Sequence, residues 1–116
     1  IDRGDALARG GEYWDAVDDF SAALDRDHKR LDALIFRAAA YRLLLIPDLA
    51  RDDIARALVI DPDNPDALME LGAVQAGVGE FDAARATWLR VLSIAPGSSP
   101  AAAAREALQQ MDVKVE

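Results

Sequence analysis

At 116 residues, 52% of them hydrophobic, the chain has the length of one domain and the material for a core. A formal net charge of -8 without any Lys/Arg cluster argues against nucleic acid and anionic membrane surfaces as partners, because binding phosphate needs concentrated positive charge. No apolar run, Leu43 to Ile46 included, approaches the roughly 18 residues of a membrane span, and the absence of Cys removes disulfides, thiolate metal sites and cysteine nucleophiles. The expectation is a soluble chain, cytoplasmic or periplasmic, and the start at Ile1, with no Met or signal-like stretch, reads as part of a longer product. Abundant Ala and Leu with only 6% aromatics favour an all-α fold.

In chain order, three segments fall into one register of 34 residues. The first, residues 1–30, carries Gly4, Ala16, Phe20, Ala23 and Leu24, and ends on Arg26 and His28. It lacks the opening residues of its first helix and reads as a truncated hairpin. The second, residues 31–64, repeats the pattern as Ala38, Ala50, Ile54, Ala57 and Leu58, then Ile60 and Pro62. Its internal turn, Leu45-Ile46-Pro47, departs from the third unit, so a differently built turn is expected, with Pro47 opening the following helix.

The third segment, residues 65–98, is the regular one: Gly72, Ala84, Trp88, Val91 and Leu92, then Ile94 and Pro96. Its apolar residues stand at helical spacing on two stretches, Leu68, Leu71, Val74 and Val78, then Phe81, Ala84, Trp88, Val91 and Leu92, which predicts a helical hairpin. The columns have a physical reason. A small residue lets two helices approach, and the large residue opposite fills the crossing. Between units, Asp61, Pro62, Asp63, Asn64 and Pro65 stop one helix and start the next. Ser98, Ser99 and Pro100 supply the cap and first turn of a last helix over 99–112, with a stripe of Ala104, Ala107, Leu108 and Met111 opposite polar Arg105, Glu106, Gln109 and Gln110. Residues 113–116 form a tail without evident role.

Leu68, Leu71-Gly72, Gly79, Phe81, Ala84, Trp88, Val91 and Pro96 together resemble the tetratricopeptide repeat pattern, and the shared register extends that resemblance over residues 1–98. The resemblance implies a right-handed α-α superhelix of antiparallel helical hairpins, a solenoid whose exposed end is closed by the last helix. It also implies a concave groove lined by the first helix of each hairpin, binding a peptide or helix of a partner protein. By position the groove falls on Asp2, Asp5 and Arg9, on Asp32, Ile35, Phe36, Ala39, Arg42 and Leu43, and on Asp66, Met69, Glu70, Ala73, Ala76 and Gly77. Some members of the family hold a peptide carboxylate with Lys, Asn and Arg at positions that here are Ile1, Asp5, Phe36, Asp66 and Glu70, so binding of that kind is disfavoured. An apolar centre among carboxylates suits a basic or amphipathic segment, although the acids also suit a merely solvated face. The alternative is a self-assembling scaffold, with Leu43 to Ile46 as the homo-oligomer contact.

Catalytic, metal and cofactor readings find little support. His28 stands where the other units have an inter-hairpin Pro, a linker position, and no nucleophile or HExxH-like context accompanies it. Consecutive acids such as Asp18-Asp19 and Asp52-Asp53 point about 100° apart on a helix and make no cage. Gly77-Val78-Gly79 lacks the lysine and serine/threonine of a phosphate loop and reads as a hairpin turn. No cofactor is expected, and the chain does not read as an enzyme. Comparing units instead predicts ion pairs: Arg3 goes with Asp19 and Arg37 with Asp53, whereas the third unit has Leu71 with Thr87 in those columns.

Overall fold

Pro, Gly and the short hydrogen-bonding side chains decide where each helix starts and stops. The computed structural model describes residues 3–115, with side chains over 10–112. Its described residues form six helices and no strand. Residues 1–60 make one compact unit, with helices α1 (Arg3–Arg26), α2 (Leu31–Leu43) and α3 (Pro47–Ile60). Residues 61–116 make a second, with α4 (Pro65–Gly77), α5 (Phe81–Ile94) and α6 (Ser99–Val115).

The punctuation acts as its chemistry requires. The Asn64 side chain accepts the Ala67 N–H at 3.0 Å and Pro65 fills the first position of α4, where a missing N–H costs nothing. Ser98 does the same for α6: its hydroxyl accepts the Ala101 N–H at 3.1 Å and donates to the Ala95 carbonyl at 2.7 Å. Pro47 opens α3.

Within the second unit α4 and α5 cross at Gly72 and Trp88. A Cβ built on Gly72 would lie 2.6 Å from Cδ1 and 2.7 Å from Cε2 of the Trp88 indole, so no larger residue fits without moving that ring. The close approach also lets the indole N–H donate to the Met69 carbonyl at 3.3 Å. The first unit places Ala38, Ala50, Ile54 and Ala57 of α2 and α3 in the same columns, all fully or almost fully buried. There α2 packs against both α1 and α3, which explains its wide core stripe of Leu34, Ile35 and Ala38. In the second unit α6 lies on both α4 and α5 and buries Ala101, Ala104, Leu108 and Met111.

Three features differ from the sequence expectation. The first segment is one continuous helix, α1, rather than a truncated hairpin. Gly10-Gly11-Glu12 contains no Pro, and neither glycine takes the positive φ that closes the turn of the third segment. With nothing there to stop the helix, propagating it costs less than ending it and nucleating another. The final helix runs to Val115, past the expected end at 112 and into the tail.

The third difference is the turn of the second segment, which is not built differently at all. Leu45 N–H bonds to Arg42 O at 3.0 Å and Ile46 N–H to Tyr41 O at 2.9 Å. One period later Gly79 N–H bonds to Ala76 O at 3.1 Å and Glu80 N–H to Gln75 O at 2.8 Å. Both are Schellman-type ends, which need a left-handed residue. Gly79 meets that need at φ 86, and Leu45 is forced into it at φ 63. A side chain in that conformation costs roughly 1–2 kcal/mol.

Two outcomes follow for urea unfolding. Leu45→Gly should raise stability by about 1 kcal/mol, the relieved strain exceeding the entropy a glycine loses. Gly72→Ala should lower it by about 1–2 kcal/mol in spite of alanine's better helix propensity, because the buried indole must shift; a neutral or stabilising Gly72→Ala would show that the crossing is loose.

Candidate functional site

The first helix of each hairpin shows a face that the core does not use. On α2 this face runs through Asp32, Phe36, Ala39 and Leu43, spaced four, three and four residues apart. Phe36 is 54% exposed, and its ring rests 5.5 Å, centroid to centroid, from that of Phe20 on α1. Leu43 is exposed, while Ala39 and Arg42 are half-buried. Ile35 does not belong to this face, contrary to the sequence expectation. It is only 9% exposed, because residue 35 lies about 100° round the helix from Phe36, on the side taken up by the core.

Asp32 is exposed but engaged. Arg30 donates to it from Nε at 2.8 Å and from a terminal nitrogen at 3.1 Å, and its Oδ1 also accepts the Ala33 N–H at 2.9 Å. The hydrogen bond from Arg30 holds the Asp32 carboxyl below the usual carboxylate range, and the same bond raises the guanidinium. This acid therefore already has a cation beside it, in a pair about half exposed on both sides.

On α4 the corresponding face carries Asp66, exposed, and Met69, Glu70 and Ala73, half-buried, and continues through Ala76 to Gly77. There it opens into a cleft of about 440 Å³ within the second unit, lined by Ala76, Gly77, Phe81, Trp88, Ala107, Gln110 and Met111. The side chains of Asp5 and Arg9, the α1 contribution expected from the sequence, lie outside the described residues, as does Asp2. The cleft was not foreseen. Its signal was the small residues Ala76 and Gly77, which the sequence places in the groove, set against Trp88, Ala107 and Met111, which it gives as repeat column and capping stripe.

A second apolar surface caps the hairpin of α2 and α3. Leu43, Leu45 and Leu49 are all exposed there, Leu45 by 85%. One period later the same columns hold Gly77, Gly79 and Ala83, so the leucines are particular to this hairpin.

No chemistry of a reactive centre accompanies these surfaces. His28 is exposed in the turn after α1, and Gly77-Val78-Gly79 is the α4–α5 turn. Among the described residues no three His, Cys, Asp or Glu side chains converge so as to hold a metal ion. No helix among them is long and apolar enough to cross a membrane.

No family model matches the chain, but solved structures do. The first tetratricopeptide repeat (TPR) domain of human RPAP3 is similar at a TM-score of 0.79 and 22% identity, over 97% of this chain and 87% of that one. The first TPR of Spaghetti (RPAP3), bound to the HSP90 peptide SRMEEVD, gives 0.77 and 22% over 99% and 96%. The Arabidopsis OM64 TPR domain gives 0.73 and 24% over 93% and 89%. The chain has the tetratricopeptide-repeat fold.

Within this TPR frame the charged columns are structural. Arg37 donates to Asp53 through Nε at 2.7 Å and a terminal nitrogen at 2.6 Å, and through its other terminal nitrogen to the Ser21 hydroxyl at 3.1 Å. One guanidinium thus joins α1, α2 and α3, and it lies 5.8 Å from the Tyr41 ring centroid. The side chain of Asp53 is 3% exposed and that of Arg37 15%. The hydrogen bond to Asp53 raises the Arg37 guanidinium above its ordinary value. In the second unit the same columns hold Leu71 and Thr87, and the single Thr87 O–H has two acceptors within reach, Gln75 Oε1 at 2.8 Å and the Ala83 carbonyl at 2.9 Å. The matching Arg3–Asp19 pair falls on a side chain outside the described residues.

Because the Asp53 carboxylate has almost no contact with water, Arg37→Leu should destabilise by about 3 kcal/mol, and Asp53→Thr by less, since the Arg37 side chain is 15% exposed. The double change Arg37→Leu with Asp53→Thr, which copies the second unit, should lie within about 1 kcal/mol of the parent. Urea unfolding of the four proteins in the cycle measures the coupling, and additive losses would mean the two groups act independently.

Proposed function

We propose that the chain is a peptide-binding interaction module, not an enzyme, and that its first-helix faces take a basic or amphipathic segment of a partner protein. The observation that carries this reading is Phe36, a half-exposed ring held up by Phe20 on a face the core does not use. Aromatic residues so placed are the usual anchors of protein interfaces. The fold supports the class of function, since the TPR domain of Spaghetti carries a bound peptide. That relative also supports peptide capture over self-assembly.

The kind of peptide follows from charge. SRMEEVD is acidic, and this chain has Asp66 and Glu70 on α4 and an overall charge of -8. Like charges would have to be brought together and partly desolvated, which opposes binding of such a tail. A segment carrying Lys or Arg beside an apolar residue suits each face taken by itself: on α2 the Phe36 ring offers apolar contact and cation–π attraction, and on α4 the exposed Asp66 offers a carboxylate.

Fluorescence anisotropy with labelled peptides tests this. A lysine-flanked amphipathic peptide should bind and lose about five-fold in affinity between 50 and 300 mM salt, while SRMEEVD should not bind. Phe36→Ala should weaken the basic peptide by about ten-fold or more with a much smaller effect on stability, the ring being half exposed already. Binding that is indifferent to salt, or tighter for SRMEEVD, would overturn the reading. Light scattering over a concentration range checks the self-assembling alternative through Leu43, Leu45 and Leu49, and a monomer throughout removes it.

A further inference from the structure

The cleft between α4, α5 and α6 has properties that framework packing does not require. Its walls contain no ionisable group: two alanines, a glycine, Phe81, Trp88 and Met111, with the Gln110 amide as the one polar side chain. Trp88 and Met111 are buried at its base, whereas Phe81 and Gly77 stand exposed at its mouth. At about 440 Å³ it lies within the range of sites that enclose a small ligand and is large enough for one or two bulky side chains.

Its position narrows the occupant. Ala76 and Gly77 are the last turn of the α4 face that begins at Asp66, so anything lying along α4 reaches the cleft without leaving that face. An exposed carboxylate, Asp82, follows Phe81 in the first turn of α5, outside the lining. The surroundings therefore reject a charged group inside the cleft and favour a cation beside it. We propose that the cleft seats an uncharged aromatic or large aliphatic side chain of a peptide partner, its neighbouring Lys or Arg lying outside near Asp82. The proposal rests on the peptide-binding reading and specifies which residue of the peptide is held most selectively.

A filling substitution is available that the fold should accept. A Cβ on Gly77 meets nothing within 4 Å and its φ is not positive, so Gly77→Leu adds bulk at the mouth without strain and with better helix propensity. Ala107→Leu fills the cleft independently from α6, and thermal unfolding verifies that each variant remains folded.

Indole and n-butylammonium, as side-chain analogues, are titrated into the ¹⁵N-labelled chain. Indole should shift the Gly77 amide and the Gln110 side-chain amide saturably in the millimolar range, n-butylammonium should not, and both variants should weaken the indole response about ten-fold. Two lysine-flanked peptides, identical but for a central Trp or Ser, should then differ by about ten-fold or more in affinity, and the filled variants should abolish the difference. Absence of a saturable indole shift, or an indole response unchanged in both filled variants, overturns the proposal. A Trp preference that survives filling overturns it too, but leaves peptide binding standing. Indole binding without binding of either peptide overturns it together with the peptide reading, and leaves the cleft as a small-molecule site.

Discussion

Two helices can cross closely only where one of them has almost nothing at the contact, and every other regularity of this chain depends on that constraint. At Gly72 the indole of Trp88 occupies the very space a methyl group would need. The approach brings the indole N–H within reach of the Met69 carbonyl, so a large aromatic is buried without stranding its one polar atom. The first unit obeys the same constraint with Ala38 and Ile54, a methyl in place of the glycine hydrogen and a smaller filler in place of the indole, both buried. Once the crossing is set, the turn must return the chain antiparallel within a few residues, and the period follows from helix length plus turn.

That dependence explains why the first unit tolerates a leucine in a left-handed conformation. The turn's two carbonyl-capping bonds are fixed by the helix ends they close, and Leu45 has to supply the geometry Gly79 supplies freely. The cost is on the order of 1–2 kcal/mol, small beside what the buried hairpin contributes. A side chain 85% exposed returns little of it through burial. The strain is local: the helix ends impose it, and the exposed Leu45 side chain does not offset it.

Much of the fold was legible in the sequence because its determinants are local or repeat at a fixed interval. Pro47, Asn64 with Pro65, and Ser98 each act within a turn of where they stand, and the small and large columns compare like with like. The Arg37–Asp53 pair was legible for a subtler reason: two positions 16 residues apart lose their charges together in the next unit, as interdependent groups must. What was not legible depends on packing that a column does not encode. Continuity of α1 through Gly10 and Gly11 is decided by the competition between turning and simply propagating a helix. Ile35 was assigned to the open face because position alone cannot reveal that α2 is covered on two sides. The cleft is a property of side chains that fail to fill a space, and no single residue announces it.

Separating framework from surplus narrows where specificity can lie. The charge most deeply buried among the described residues, Asp53, is satisfied by Arg37 and offers nothing to a partner. Asp32, although exposed, already has Arg30 beside it. Counting acids on the first-helix faces would therefore overstate the pull on a basic ligand. The apolar surplus, Phe36 on α2 and the cleft beyond Ala73 on α4, is not cancelled in this way, and burial of apolar area is less sensitive to salt than attraction between exposed charges. On the proposed reading, charge would exclude acidic segments and add a salt-dependent share of the attraction, while shape and apolar contact would decide which of the remaining segments are held.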